Sequence, residues 1–186
     1  AREWVEANSF PLPVYMMDNT SLDGVCEEPD ASSVSAVGDS SNLFFLGSTF
    51  GLKTLENHLT VAYLGSSFDS DEHALDAIEA ITTRPGYRGC DLLLSWSYPS
   101  NMTQLLAEPE QRKLQGLGVR FSEGEASTGQ MAVLTAPRYH VASGNLGVFY
   151  TRLPYFLYLH AKDDRQRKLR TTRFVGLGKV NNEVFV

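Results

Sequence analysis

The sequence predicts an α/β domain, and three observations carry that expectation. Short apolar runs of strand length, bounded by Pro, Gly and polar residues, recur along the chain. One amphipathic helix stands between two of them, which is the order of a crossover unit joining parallel strands. The 186 residues, 42% hydrophobic and 20% charged, supply a core for one domain spanning 1–186.

Residues 2–8 read as the end of a helix that Pro11 and Pro13 break. Residues 12–17 are a buried strand candidate running into the polar turn Asp18-Asn19-Thr20-Ser21. In open α/β sheets the carboxyl end of a strand is where ligands sit. Residues 23–42 are poor in apolar side chains and read as a long irregular loop. Residues 43–46 and 59–64 look like strands, with 47–58 connecting them. Residues 69–83 form the crossover helix: Asp69 caps it, Glu72 completes a capping box, and Ala74, Ile78 and Ile81 make its apolar stripe. Arg84-Pro85-Gly86 stops it. Residues 90–95 are again a strand, opening into the loop 96–101. Residues 102–116 read as helical with an interruption at Pro109, and 116–129 show no strong periodicity. Residues 131–135, 139–143, 148–151, 156–161, 173–177 and 183–186 read as short strands. Because no helix is expected among them, they predict an antiparallel sheet after the crossover.

The net charge of −6 is unevenly spread. From Arg152 onward eight Lys/Arg face three Asp/Glu, a net of +5; before it eight face nineteen, a net of −11. Lys162, Arg165, Arg167, Lys168, Arg170 and Arg173 crowd together and read as the tip of a hairpin between the strands at 156–161 and 173–177. This sector either contacts RNA phosphates or an acidic partner, or is a solvated hairpin. Tyr155, Phe156 and Tyr158 beside it would stack bases if exposed and otherwise belong to the core. No run reaches the roughly 20 apolar residues of a membrane span, so no membrane partner is expected. Cys26 and Cys90 read as reduced thiols of a cytosolic or nuclear protein, with a disulfide between them left open. There is no Cys/His cluster at zinc spacing, no phosphate-binding glycine loop and no Gly-x-Ser-x-Gly elbow.

Several segments, in order, carry a resemblance. They are residues 14–20, 59–64 and 90–99 (CDLLLSWSYP), then Pro137-Arg138-Tyr139-His140, then Tyr150-x-Arg152-Leu153-Pro154-Tyr155, then Thr172-Arg173-Phe174-Val175-Gly176-Leu177-Gly178. Together they resemble the N-terminal region of the CwfJ family, spliceosome-associated proteins related to the lariat-debranching enzyme. The match covers most of the chain and is poorest at 23–42 and 107–129. Arg138, Tyr139, His140, Arg152, Pro154 and Tyr155 are its landmarks. The resemblance implies a calcineurin-like metallophosphoesterase fold, a two-sheet β sandwich flanked by helices, here without the first strand–helix units. It implies nuclear localisation and splicing or lariat-processing partners, with intron RNA among them.

Active members of that superfamily hold two metal ions through Asp, His and Asn ligands at strand ends, and the metals stabilise the attacking and leaving oxygens of a phosphoester. The first two ligand motifs have no counterpart here. Asn19 matches the ligand asparagine as a vestigial candidate, and reads equally as a turn residue. Thr20, Trp96, Gly144 and Leu146 stand where the resemblance implies histidines. His140 reads as a core or edge histidine, and His58, His73 and His160 have no ligand-spaced partners. The expectation is therefore a degenerate metallophosphoesterase with no catalytic residues and no cofactor, acting as an interaction domain. A metal-dependent phosphodiesterase, using divalent ions held by ligands outside these residues, is the first alternative. An RNA-binding module using the basic hairpin 162–173 is the second.

Overall fold

The computed structural model describes residues 12–17, 35–36, 42–55, 57–66, 72–100, 108–116, 124–143, 150–151, 155–158 and 169–177. The expected helix at 2–8, the strand at 183–186, the cap Asp69 and most of the loop 23–42 lie outside them. The described elements, in chain order, are β1 (Val14–Met17), β2 (Ser35–Ala36), β3 (Leu43–Gly47), β4 (Phe50–Thr54), β5 (Thr60–Leu64), α1 (Glu72–Thr82), β6 (Leu92–Ser95), α2 (Glu108–Gly116), α3 (Ala126–Thr135), β7 (Tyr139–Ala142), β8 (Tyr150–Thr151), β9 (Tyr155–Tyr158) and β10 (Leu169–Gly176). The chain is a mixed α/β protein whose described residues form two sheets, one of three strands ordered β1-β3-β2 and one of seven ordered β4-β5-β6-β7-β10-β8, with β9 also paired to β10.

The strand–helix–strand unit forms as the sequence predicts. Strand β5 pairs parallel with β6, and α1 crosses between them. On α1, Ile78 is buried and Leu75 and Ile81 are half-buried, while Asp76, Ala77, Glu79 and Ala80 face solvent. The register then extends: β6 pairs parallel with β7, and β7 parallel with β10. Four adjacent strands thus run in one direction, which corrects the antiparallel expectation for this part. Parallel neighbours need a crossover, and α3 provides the one between β6 and β7.

Helix α3 also corrects the strand expected at 131–135. Its buried residues are Ser127, Thr128, Met131, Ala132 and Thr135, a stripe at helical spacing. Three of the five carry hydroxyls, so an apolar reading sees only the final stretch. Two of the hydroxyls are satisfied internally: Thr135 donates to the Met131 carbonyl at 2.7 Å, and Thr128 shares a 2.8 Å bond with Ser97. Ala136 ends the helix in a left-handed conformation (φ 41°), its N–H bonded to Ala132, and Pro137 prevents continuation. Pro109 falls in the first turn of α2 rather than interrupting a longer helix, at a place where its missing N–H costs nothing.

Strand β4 occupies part of the expected connection and forms a hairpin with β5. Its alternation is disguised. Phe50 and Leu52 pack toward the helices, while Gly51 and Lys53 face the other way. Gly51 is required there, because a Cβ would press into the Tyr63 ring at 2.5–2.8 Å.

The large sheet is covered on both faces. Ala62, Leu64, Cys90 and Leu93 pack under Ile78 of α1 and Met131 and Ala132 of α3. On the other face Leu46, Leu55, Val61 and Tyr63 meet Tyr15 and Met17 of β1, with Leu92 and Leu94 alongside. Each such aliphatic side chain stabilises by about 1.5–3 kcal/mol. Strand β1 itself is only half-buried, and Val14 is exposed, although it reads as a buried strand from its composition.

One polar clamp ties β10 to this core. The Arg170 guanidinium donates to the Arg88 carbonyl and, at 2.7 Å, to the Cys90 carbonyl. Nearby, Tyr87 donates to the Thr135 carbonyl at 2.8 Å. Gly89 makes the close approach possible: its φ is +81°, and a Cβ would run into the Ala136 carbonyl and lie 2.9 Å from Arg170. Gly89→Ala should therefore destabilise the chain by about 3 kcal/mol, combining left-handed strain with overpacking, measured as a lowered urea midpoint. An unchanged midpoint would show that the clamp tolerates a methyl.

Candidate functional site

Because β5, β6, β7 and β10 run parallel, their carboxyl ends share one edge of the sheet. That edge carries Trp96, Ser97, Ser143 and Leu177. Trp96 is 45% exposed, unusual for so large an apolar ring. Its backbone is pinned on both sides: its N–H donates to the Leu64 carbonyl at 2.9 Å, and its carbonyl accepts from Ser143 Oγ at 2.8 Å. Ser143 N–H donates in turn to the Ser95 carbonyl at 2.9 Å.

Beneath Trp96 lies a buried polar chain. Ser95 Oγ donates to the Ser97 carbonyl and sits 2.8 Å from His140 Nε2. A serine has one hydroxyl proton, so with that proton committed to Ser97 the imidazole must be the donor to Ser95, which places its hydrogen on Nε2. His140 has no exposed surface and packs edge-on against Phe174, with ring centroids 5.1 Å apart. Burial holds its pKa down, from 6.5 to about 3. It is a neutral core histidine with its Nε2 facing a serine, and neither group reaches solvent.

Of the positions where the resemblance implies metal ligands, only Trp96 is described; Asn19, Thr20, Gly144 and Leu146 lie outside the described residues. An indole nitrogen carries a hydrogen and offers no lone pair to a cation, so this position does not fit a metal ligand. Among the described residues no three His, Cys, Asp or Glu side chains gather as a metal-holding group. Cys90 is free and buried, its thiol pushed up to about 11 by burial, which makes it inert as a nucleophile. Cys26 lies outside the described residues.

The opposite, amino edge of the parallel strands holds Arg138, Arg170 and Arg173. Arg173 pairs in register with Tyr139, the first residue of β7, and its N–H donates to the Arg138 carbonyl at 2.8 Å. The Arg173 guanidinium lies 5.8 Å from the Tyr139 ring centre and donates to the Tyr139 hydroxyl at 3.3 Å. The Arg138 side chain is 67% exposed and stands 3.7 Å from Asp91. Arg170 thus belongs to a strand, which corrects its assignment to a hairpin tip, and Arg173 lies in the strand expected at 173–177. Strand β9 does pair antiparallel with the start of β10, from Tyr158↔Leu169 to Tyr155↔Thr172. Lys162, Arg165, Arg167, Lys168, Arg152 and Pro154 lie outside the described residues, and of Tyr155 only the backbone is described.

Two polar residues that the sequence reading passed over, Ser95 and Lys53, and one it assigned to the basic hairpin, Arg170, prove central. Ser95 becomes legible only once β6 and β7 are in register. Lys53 is buried between the sheets, donating to the Leu46 carbonyl with its ammonium 5.0 Å from the Tyr63 ring centre. A lysine in a strand reads as solvent-facing, which hid both it and β4. Arg170 is a clamp, and no local signal separates it from its basic neighbours.

No protein-family model matches the chain. The chain is similar to zinc finger CCCH domain-containing protein 64 of Arabidopsis thaliana, at 33% identity across 76% of its length. It spans 22% of that protein.

The His140 environment has a measurable consequence. A histidine depressed in the folded state binds its proton first in the unfolded chain. Its stabilising contribution is therefore complete above the unfolded pKa of 6.5 and is lost as pH falls toward about 3. Stability should drop by about 1.4 kcal/mol per pH unit from this group below pH ~6. His140→Gln, measured by urea unfolding at pH 7 and pH 5, should be less stable at pH 7 and show a flatter dependence. Parallel pH curves for the two proteins would contradict a buried neutral imidazole.

Proposed function

We propose that this chain is a metallophosphoesterase-like interaction domain of the CwfJ kind, which docks partners in pre-mRNA splicing or intron-lariat turnover and does not itself cleave phosphoesters. The observation that carries this reading is Trp96. It stands at the carboxyl end of a central parallel strand, where the resemblance implies a histidine ligand, and turns a large apolar ring to solvent on a pinned backbone. A rigid exposed tryptophan is the residue type that most often dominates a protein interface. The two-sheet arrangement with α1 and α3 on one face is compatible with a calcineurin-like sandwich. The zinc finger relative is matched over a fifth of its length, so the partners, the nuclear setting and the function of a whole protein all belong to this proposal.

Two measurements on the purified chain test it. Metal analysis after growth with added manganese should give less than stoichiometric metal, and hydrolysis of bis(p-nitrophenyl) phosphate should not exceed the buffer rate. Two bound metals per chain with turnover abolished by chelation would overturn the reading and establish an active phosphodiesterase. In the second measurement, calorimetry with purified lariat-debranching enzyme, Trp96→Ala should weaken binding by about 2 kcal/mol, roughly thirtyfold. Equal affinity for both proteins would remove Trp96 from the interface.

A further inference from the structure

We propose that the amino edge of the parallel sheet is a binding site for a single-stranded nucleic acid, with phosphates on Arg138 and Arg173 and an unstacked base on the Tyr139 ring. The site is independent of the docking surface proposed around Trp96. From Tyr139 to Ser143 the chain rises about 13 Å, so the two surfaces lie at opposite ends of the same strands.

Three observations carry the inference. First, Tyr139 opens a strand that is hydrogen-bonded on both sides, yet its side chain remains 44% exposed. Second, the Arg173 guanidinium is already placed against that ring, both over it and in contact with its hydroxyl. An aromatic ring and an exposed guanidinium held together form the pair on which single-stranded bases and their phosphates are gripped. Third, positive charge accumulates here in a chain that is acidic overall. Arg138 and Arg173 are exposed, Arg88 is exposed where the Arg170 guanidinium meets its carbonyl, and Arg170 is fixed behind them. Arg170 is held below its ordinary pKa by burial first and by the charge of Arg138 next, so two cations are kept close. Asp91 is the acidic group beside Arg138, and it is half committed: its second oxygen accepts from the Thr60 N–H at 3.0 Å. Asp91 offsets part of this charge, since it raises the Arg170 pKa and stands 3.7 Å from Arg138, while Arg173 forms no ion pair among the described residues.

Fluorescence anisotropy with labelled oligouridine and oligoadenine of about 15 nucleotides, as RNA and as DNA, tests the site on the full 186-residue chain. Binding should weaken with salt, with a log–log slope of about −1.4 from two phosphate contacts. The double variant R138Q/R173Q should lose that slope and bind at least about tenfold more weakly. Tyr139→Leu should weaken binding about tenfold at unchanged slope, while Tyr139→Phe and the distant Lys113→Gln should match the parent. Equal affinity for RNA and DNA assigns recognition to phosphate and base, and tighter RNA binding adds the 2′-hydroxyl; both support the site. Should Tyr139→Leu fail to fold, cross-linking of a 4-thiouridine oligomer to the parent decides: a cross-link at Tyr139 supports the site, and cross-links confined elsewhere overturn it. Absence of binding by the parent, unchanged affinity in R138Q/R173Q, or equally strong displacement by poly-glutamate would also overturn it, the last in favour of an acidic protein surface.

Discussion

A buried imidazole has to find a hydrogen-bond partner or cost the fold about 1–3 kcal/mol, and at His140 that requirement organises much of the molecule. Its Nε2 meets Ser95, the Ser95 hydroxyl donates to the Ser97 carbonyl, and Ser97 Oγ bonds Thr128 on α3. One polar chain therefore joins two parallel strands, the loop after β6 and the helix that covers them. Trp96, just past the end of β6, sits between two buried serines of this polar chain while its own ring is exposed.

Direction along the sheet separates the remaining chemistry. Four strands run the same way, so their two ends form different surfaces: an aromatic carboxyl edge around Trp96 and a basic amino edge around Arg138 and Arg173. Arg170 and Arg173 share one strand but have different fates. Arg170 reaches the carbonyls ahead of β6 and closes the core, with Gly89 clearing its path. Arg173, an odd number of residues away, points to the other face and remains exposed beside Tyr139. Counting both among the basic residues of one segment conceals that division.

Where the sequence reading succeeded, burial and chain-local chemistry agreed. Residues 43–46, 59–64 and 90–95 are apolar runs that do become strands, and the stripe on α1 rests on Ile78 and Ile81 as its spacing requires. It failed where a polar residue does an apolar residue's work. The buried stripe of α3 runs through Ser127, Thr128 and Thr135, and β4 carries Lys53 into the interior. Thr128 finds its partner Ser97 in the loop after β6, whereas Thr135 bonds the Met131 carbonyl of its own helix and Lys53 the Leu46 carbonyl of β3, so residue type alone does not mark these positions as buried.

The sequence by itself determined the α/β class, the crossover through α1 and the charge asymmetry, because each follows from residue type and short-range spacing. Only the tertiary structure decided that β7 and β10 extend the sheet in parallel, that His140 is a neutral core group bonded to Ser95, and that the basic sector divides into a clamp and an exposed pair. Those outcomes depend on the register between strands 34 or more residues apart, as for Tyr139 and Arg173. Register is set by which faces are buried together and not by the residues of either strand alone.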